Sequence, residues 1–365
     1  MLKAILVDCI PLSMSRDAAE FRLEEAESLV STFGGIVLVK SIQKRLIPNY
    51  RTFIGTGKLD ELVAEGQTLG ANILIVNAEL KAQQVYNISE LLRKGEAKMQ
   101  VWDRIDLILK IFQKHATTKE AKLEIELASI KHMGPRIFGM GMELSRQGGG
   151  VGTSGIGETN NEIMKRHLKE QERKILKDIQ ACAQSRQLHQ DARKRKQFKT
   201  VSIIGYTNAG KSSLLNALTK KGAYAADKLF ATLDTRVGKV YLESVQKELL
   251  LSDTIGFIQD LPTTLIQSFH STLAETVNAE FLLHVIDIND PHRTEKIQVV
   301  HDVLQAIGCE DKPMIYVFNK MDQYKGKGMK TLLKKYSKYY PVCVSAKTAK
   351  GLAELKEVLG KRIYL

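Results

Sequence analysis

Residues 200 to 213 read T-V-S-I-I-G-Y-T-N-A-G-K-S-S, and this stretch constrains the fold more than any other. An apolar strand gives way to glycines at 205 and 210, then to Lys211, Ser212 and a helical run. A strand that turns directly into a helix is half of a βαβ unit, which needs a parallel sheet with helices on its faces. The spacing Gly205-x-x-x-x-Gly210-Lys211-Ser212 adds a chemical reason for the turn. Backbone N–H groups of such a loop wrap phosphate oxygens at a helix N-terminus, the lysine reaches the outer phosphates, and the serine hydroxyl binds Mg²⁺. Gly205, Tyr206, Thr207, Asn208, Ala209, Gly210, Lys211, Ser212 and Ser213 are therefore candidate nucleotide-binding residues, with Lys211 also a candidate catalytic group.

Three later stretches complete a site of this kind. N-K-M-D, Asn319, Lys320, Met321 and Asp322, directly follows the strand P-M-I-Y-V-F. Asp322 can accept two hydrogen bonds from guanine, whereas adenine offers no such pair of donors. Asn319 and Lys320 would fix the loop and cover the base, and S-A-K, Ser345, Ala346 and Lys347, would present the Ala346 N–H to the guanine carbonyl. Between these motifs lie F-A-T-L-D-T, with Phe230, Ala231, Thr232, Leu233 and Asp234, and D-T-I-G, with Asp253, Thr254, Ile255 and Gly256. Thr232, a candidate catalytic residue, is expected to complete Mg²⁺ coordination beside Ser212, Asp253 to hold a metal-bound water, and Gly256, also a candidate catalytic residue, to offer its N–H to the γ-phosphate. The residue after Gly256, where a water-orienting Gln often stands, is Phe257.

The chain has 365 residues, enough for two or three cores. Its 54 Lys+Arg against 41 Asp+Glu leave a formal charge of +13, which favours polyanions, nucleic acid first and an anionic membrane surface second. Four dispersed cysteines, Cys9, Cys182, Cys309 and Cys343, suggest neither zinc site nor disulfide framework, and the eight histidines show no metal-ligand spacing. Asp8 interrupts what would have to be a signal peptide's apolar stretch, and no apolar run is long enough to span a bilayer, so a cytoplasmic protein without membrane insertion is expected.

Apolar runs at 4 to 7, 35 to 39 and 72 to 76, with helical spacing at 16 to 32 and 81 to 94, predict a small α/β domain over 1 to 115. Continuous helix is expected from Asp103 to about His132. The stretch 134 to 157 holds nine of the chain's 26 glycines, so a loop is expected there. A charged helix with a thin apolar stripe at Met164, Leu168, Ile175, Ile179 and Cys182 follows. Residues 116 to 196 therefore read as a two-helix arm with a glycine-rich tip and a basic hinge, R-K-R-K at 193 to 196. From 197 to 365 strands and helices alternate as in a doubly wound sheet. The fold class expected is α/β: an N-terminal α/β domain with an arm, then a Ras-like P-loop domain. Arg136, Arg146, Lys165 and Arg166 flank the glycine loop as candidate phosphate contacts. Trp102 in Q-V-W-D is expected to pack rather than to stack a base.

The motifs above, with F-I-G-T-G-K-L-D-E-L at 53 to 62, D-R-I-D-L-I-L-K-I-F at 103 to 112 and L-S-R-Q-G-G-G-V-G-T at 144 to 153, resemble the HflX-type ribosome-binding GTPases. The resemblance covers nearly the whole chain. It implies a GTPase that binds GTP and GDP, requires Mg²⁺, and acts with the large ribosomal subunit (50S) and its rRNA in ribosome splitting, rescue or subunit maturation. Where the family usually reads R-G-P-G-E-T-Q-L-E, this chain reads S-G-I-G-E-T-N-N-E at 154 to 162. Many relatives carry a further C-terminal domain, whose contacts are not carried over to a chain that ends at Leu365, one helix after S-A-K. Similar N-x-G-K-S loops in potassium-stimulated GTPases make Asn208 a candidate potassium ligand and a candidate catalytic residue. A monomer is expected. Two other classes share the G motifs: a GTP-dependent binding switch with negligible turnover, and a GTPase of RNA maturation. The first would want a membrane-reading amphipathic helix or lipidation signal and the second an RNA-modifying module, and neither is visible.

Overall fold

The computed structural model describes residues 1–147, 160–195, 198–219, 229–230, 236–260, 262, 265, 270–326 and 328–364. They group into two compact units, Met1–Lys114 with Leu123–Ile179, and His115–Lys122 with Gln180–Leu365.

In the first unit β1 (Leu2–Ile10), α1 (Arg16–Phe33), β2 (Gly35–Lys44), α2 (Thr56–Leu69), β3 (Ile73–Val76), α3 (Ala82–Lys94) and β4 (Gln100–Asp103) alternate. Their strands form a parallel sheet of order β2-β1-β3-β4. A sheet covered on both faces asks for unbroken apolar strands, and Ala4–Val7 and Ile73–Val76 are buried at every position. Ser15 caps α1 by accepting the Ala18 N–H at 3.2 Å, and Gly34 ends it at φ 98°, where a side chain would be strained. Periodicity did not single out α2 or β4. α2 follows Gly55 with no side-chain cap, and β4 is four residues long. Trp102 in β4 meets Phe33 edge to face at 5.5 Å, the packing role expected of it.

Two expectations for the arm are corrected. The helix predicted from Asp103 breaks: α4 covers Arg104–His115, and α5 (Lys119–Gln147) starts anew, with the Thr118 hydroxyl accepting the Ala121 N–H at 3.2 Å. The loop expected from 134 is helix as far as Gln147, so α5 runs through Pro135 and three of the nine glycines. Isolated glycines each cost a helix roughly 0.5–1 kcal/mol, and an established ladder absorbs a few such residues. The denser glycines at 148 to 157 lie outside the described residues. α6 (Asn160–Arg195) returns; of its expected stripe Ile175 is buried, Ile179 and Cys182 are half-buried, and Met164 is exposed.

Arg136 corrects a third expectation. It is buried, with Nη1 2.7 Å from Asp106 Oδ2 and Nη2 on Asp103 Oδ2, and His132 Nε2 lies 3.2 Å from Asp103 and 3.3 Å from Asp106. It belongs to the root of the arm and offers nothing to a phosphate. Burial pushes His132 down, but its bonds to Asp103 and Asp106 outweigh this and lift it to about 9. Burial raises Asp106, but His132 and Arg136 outweigh it and lower the carboxyl to about 2.

The second unit contains β5 (Lys199–Ile204), α7 (Lys211–Thr219), β6 (Arg236–Leu242), β7 (Lys247–Asp253), α8 (His270–Asn278) and β8 (Phe281–Asp287), then α9 (Arg293–Ala306), β9 (Met314–Asn319), α10 (Met329–Lys335), β10 (Val342–Cys343) and α11 (Leu352–Tyr364). Strand order is β10-β9-β8-β5-β7-β6, parallel except for the β6–β7 hairpin. Val201, Ile203, Leu249, Leu251, Leu283, Val285, Ile315 and Val317 fill its centre. β5 has β7 on one side and β8 on the other, so the connections diverge at its C-terminal end. In doubly wound sheets ligands bind at that switch point.

Candidate functional site

The loop after β5 is shaped by what would collide with a side chain. Gly205 has φ 148°, and a Cβ there would lie 2.3 Å from the Val285 carbonyl oxygen of β8. Gly210 has φ 93°, and a Cβ would lie 2.2 Å from Asn319 Nδ2. Asn208 between them takes the left-handed conformation, φ 62°, and is exposed, whereas Tyr206, Thr207 and Ala209 are buried. α7 then begins at Lys211, whose Nζ donates to the Tyr206 carbonyl at 2.9 Å across its own loop. Burial pushes this amine down to about 8, and Asp253 only partly restores it. An amine so placed gains most from an anion beside it. Ser212 Oγ donates to Asp253 Oδ2 at 2.7 Å, which joins the loop to the end of β7, and Ser213 is half-buried on α7. A buried hydroxyl beside a buried carboxylate is the hard-oxygen donor set that Mg²⁺ takes.

Beyond Asp253, Thr254 Oγ1 donates to the Ile203 carbonyl at 2.7 Å, Ile255 is buried, and Gly256 comes against the loop. A Cβ on Gly256 would sit 2.8 Å from Thr207 Cγ2 and 2.9 Å from Lys211 Nζ. Phe257 is fully buried. Its N–H donates to the Gly205 carbonyl at 3.1 Å and its carbonyl accepts the Thr207 N–H at 2.8 Å. The Tyr206 hydroxyl accepts the Gln259 N–H at 2.8 Å. The position that often orients water is here a core side chain whose backbone braces the phosphate loop. The backbone pairing of Tyr206 with Phe257 is long-range, and no local pattern announces it.

Asn319, at the end of β9, bolts two loops together. Its Nδ2 donates to the Ala209 carbonyl at 2.9 Å and its Oδ1 accepts the Ala346 N–H at 3.0 Å. Lys320 adopts φ 64° and its Nζ lies 2.9 Å from Asp287 Oδ2, a partner the sequence reading did not identify. Met321 donates its N–H to the Val344 carbonyl at 3.1 Å. Asp322 is exposed, accepts the buried Ser345 hydroxyl at 2.6 Å, and is held below the usual carboxylate range first by that bond. Lys347 is exposed beside it. The structure thus brings together 205–213, 253–256, 319–322 and 345–347. Phe230 is buried at φ 54°, while Ala231, Thr232, Leu233 and Asp234 lie outside the described residues, Thr232 with its expected metal and catalytic roles among them.

Three family models match in succession: GTP-binding GTPase N-terminal over residues 20–113, GTP-binding GTPase Middle Region over 115–193, and 50S ribosome-binding GTPase over 200–320. The GTPase HflX of Caldanaerobacter subterraneus subsp. tengcongensis is 40% identical over 362 residues, spanning 99% of this chain and 81% of that protein. The GTPase HflX of Escherichia coli K12 is 36% identical over 341 residues, 93% of this chain and 79% of that one. A GTP-binding protein from the archaeon Sulfolobus solfataricus, solved in complex with GDP, is similar with a TM-score of 0.50 at 25% identity, covering 99% of this chain and 98% of that chain. The likeness thus extends through both compact units as well as the phosphate loop, and at this identity and coverage the chain belongs to the HflX family of GTPases.

Proposed function

We propose that this chain is a GTP-hydrolysing factor of the ribosome that binds the large (50S) subunit and its rRNA and acts in splitting or rescue, translation or subunit maturation. The observation that carries it is the Asn319 bolt, which holds the phosphate loop and the Asp322–Ser345 pair in one unit, in a chain 40% identical over 99% of its length to an HflX GTPase. In this reading Asp322 selects guanine, Lys211 and the loop N–H groups hold the phosphates, and the Gly256 N–H meets the γ-phosphate. Ser212, with Thr232, would hold Mg²⁺, and Asp253 would act through a bound water. When bound, Mg²⁺ neutralises charge that develops on the phosphates.

The Phe257 side chain has no polar atom and is fully buried, so it cannot orient water. We propose that docking on the ribosome completes the site, with potassium at exposed Asn208 as a contributor. The protein is proposed to work in the cytoplasm as a monomer. Among the described residues no helix is long and apolar enough to cross a membrane.

Sedimentation with 50S, 30S and 70S particles, with GDP or a non-hydrolysable GTP analogue, tests this. Co-sedimentation with 50S that depends on the analogue is expected. Failure to bind any particle in either nucleotide state would overturn it, and binding without phosphate release would favour the pure switch.

A further inference from the structure

From Gln323 to Ala353 the chain carries eight lysines and no Asp or Glu. Elsewhere in the same unit several lysines are paired with carboxylates, among them Lys199 with Glu280 at 2.5 Å, Lys239 with Glu248 at 3.1 Å and Lys361 with Glu357 at 2.7 Å. On α10 and the turn after it, Lys330, Lys334, Lys335 and Lys338 are exposed and have no carboxylate partner among the described residues. Lys330 and Lys334 are four apart on one helix, a spacing at which like charges repel. A merely solvated face would intersperse the signs, as α11 does with Glu354, Lys356, Glu357 and Lys361.

This face is also rigid and aromatic. The Tyr339 ring stacks on buried Tyr316 of β9, centroids 4.2 Å apart and planes within 2°, and Tyr316 Oη lies 2.5 Å from His301 Nε2. The turn is therefore pinned to the sheet. Tyr340, 41% exposed, holds φ 47° immediately before Pro341, a conformation uncommon for a bulky residue. The Arg362 guanidinium lies over its ring at 3.4 Å. The Lys335 and Lys338 ammonium groups rest over the Tyr336 and Tyr339 rings at 5.2 and 5.6 Å without a carboxylate among the described residues, and an exposed ring under a guanidinium two residues from Lys338 suits a stacked base beside a phosphate backbone.

We propose that this face of the second unit binds RNA, with Lys334, Lys335 and Lys338 on phosphates and Tyr340 with Arg362 as a stacking platform. The proposal rests on the ribosomal reading only for the source of that RNA.

The test uses the full chain with a non-hydrolysable GTP analogue and a labelled 15-nucleotide single-stranded RNA, titrated across KCl concentrations. Three variants are compared with wild type: Lys334→Gln/Lys335→Gln/Lys338→Gln, Tyr340→Ala, and a control triple of exposed lysines in the first unit, Lys94→Gln/Lys98→Gln/Lys131→Gln. The patch triple should flatten the slope of log K against log salt by about 2, since each lost single-strand phosphate contact is worth about 0.7. Tyr340→Ala should weaken binding about fivefold or more without changing that slope. GTP affinity, unchanged in each variant, reports that the fold is intact. Equal slopes for the patch and control triples, or RNA displaced only by polyglutamate and not by a second RNA, would overturn the proposal. Sedimentation with 50S separates the two readings. RNA binding lost in the patch triple by a wild type that ignores 50S sinks the ribosomal reading and keeps the patch. Wild-type 50S binding with a patch triple neutral on RNA and 50S alike sinks the patch alone.

Discussion

Asp322 and Lys211 show how single side chains divide binding from stability. The Asp322 carboxylate is exposed and already oriented by Ser345, as an acceptor waiting for two donors should be. Asp322→Asn puts a donor where guanine also donates; GTP binding should weaken at least tenfold, and xanthosine triphosphate should gain. Competition binding of GTP, ATP and XTP checks it, and tight ATP binding by wild type would defeat the assignment. Lys211 is a buried amine pushed down to about 8 from an ordinary 10.5, so the fold bears the cost of its charge. Because the unfolded chain holds that proton to higher pH, nucleotide-free stability should rise as pH climbs from about 8 toward 10.5. Lys211→Met should remove the rise and stabilise the nucleotide-free chain by about 1–3 kcal/mol while abolishing GTP binding. Denaturant melts at pH 7 and 9.5 read both effects; a variant less stable than wild type at pH 7 contradicts the argument.

Among elements, those written in local chemistry were legible and those held by distant partners were not. β5 and α7 follow from the T-V-S-I-I run and the glycines after it, and α1 from its Ser15 and Gly34 ends. α2 starts without a capping side chain, and β4 exists because its four residues pair with β3. The site was readable as motifs for the same reason, yet the Phe257 brace, the Lys320–Asp287 pair and the burial of Arg136 depend on residues about thirty or more positions away. That last network gives the arm's root a pH dependence. His132 is raised, so its contribution is full below 6.5 and is lost as pH rises through about 9. Asp106 is lowered, so its contribution is present above 3.8 and lost as pH falls through about 2. Amide protection in β4 and α5 should thus be greatest between about pH 4 and 6.5 and decline toward 9, and His132→Gln should flatten the alkaline decline. An identical decline in that variant would remove His132 from the account.

For the whole molecule, the formal charge of +13 favours polyanions as partners. Ribosome binding should fall steeply with salt, and replacing residues 148 to 157 with a short Gly-Ser linker should weaken it while leaving GTP affinity unchanged. Unchanged co-sedimentation of that variant would remove the tip from the interface. With a buried phenylalanine at the usual water-orienting position, the site should stay slow until the protein docks on the ribosome. The measurement is GTP turnover with and without 50S subunits, in potassium and in sodium buffer, for wild type, Asn208→Ala and Phe257→Ala. Slow release of phosphate by the free protein is expected, with acceleration of about tenfold or more by 50S and a smaller potassium effect that Asn208→Ala removes. Fast turnover of the free wild-type protein, indifferent to both ion and ribosome, would contradict it.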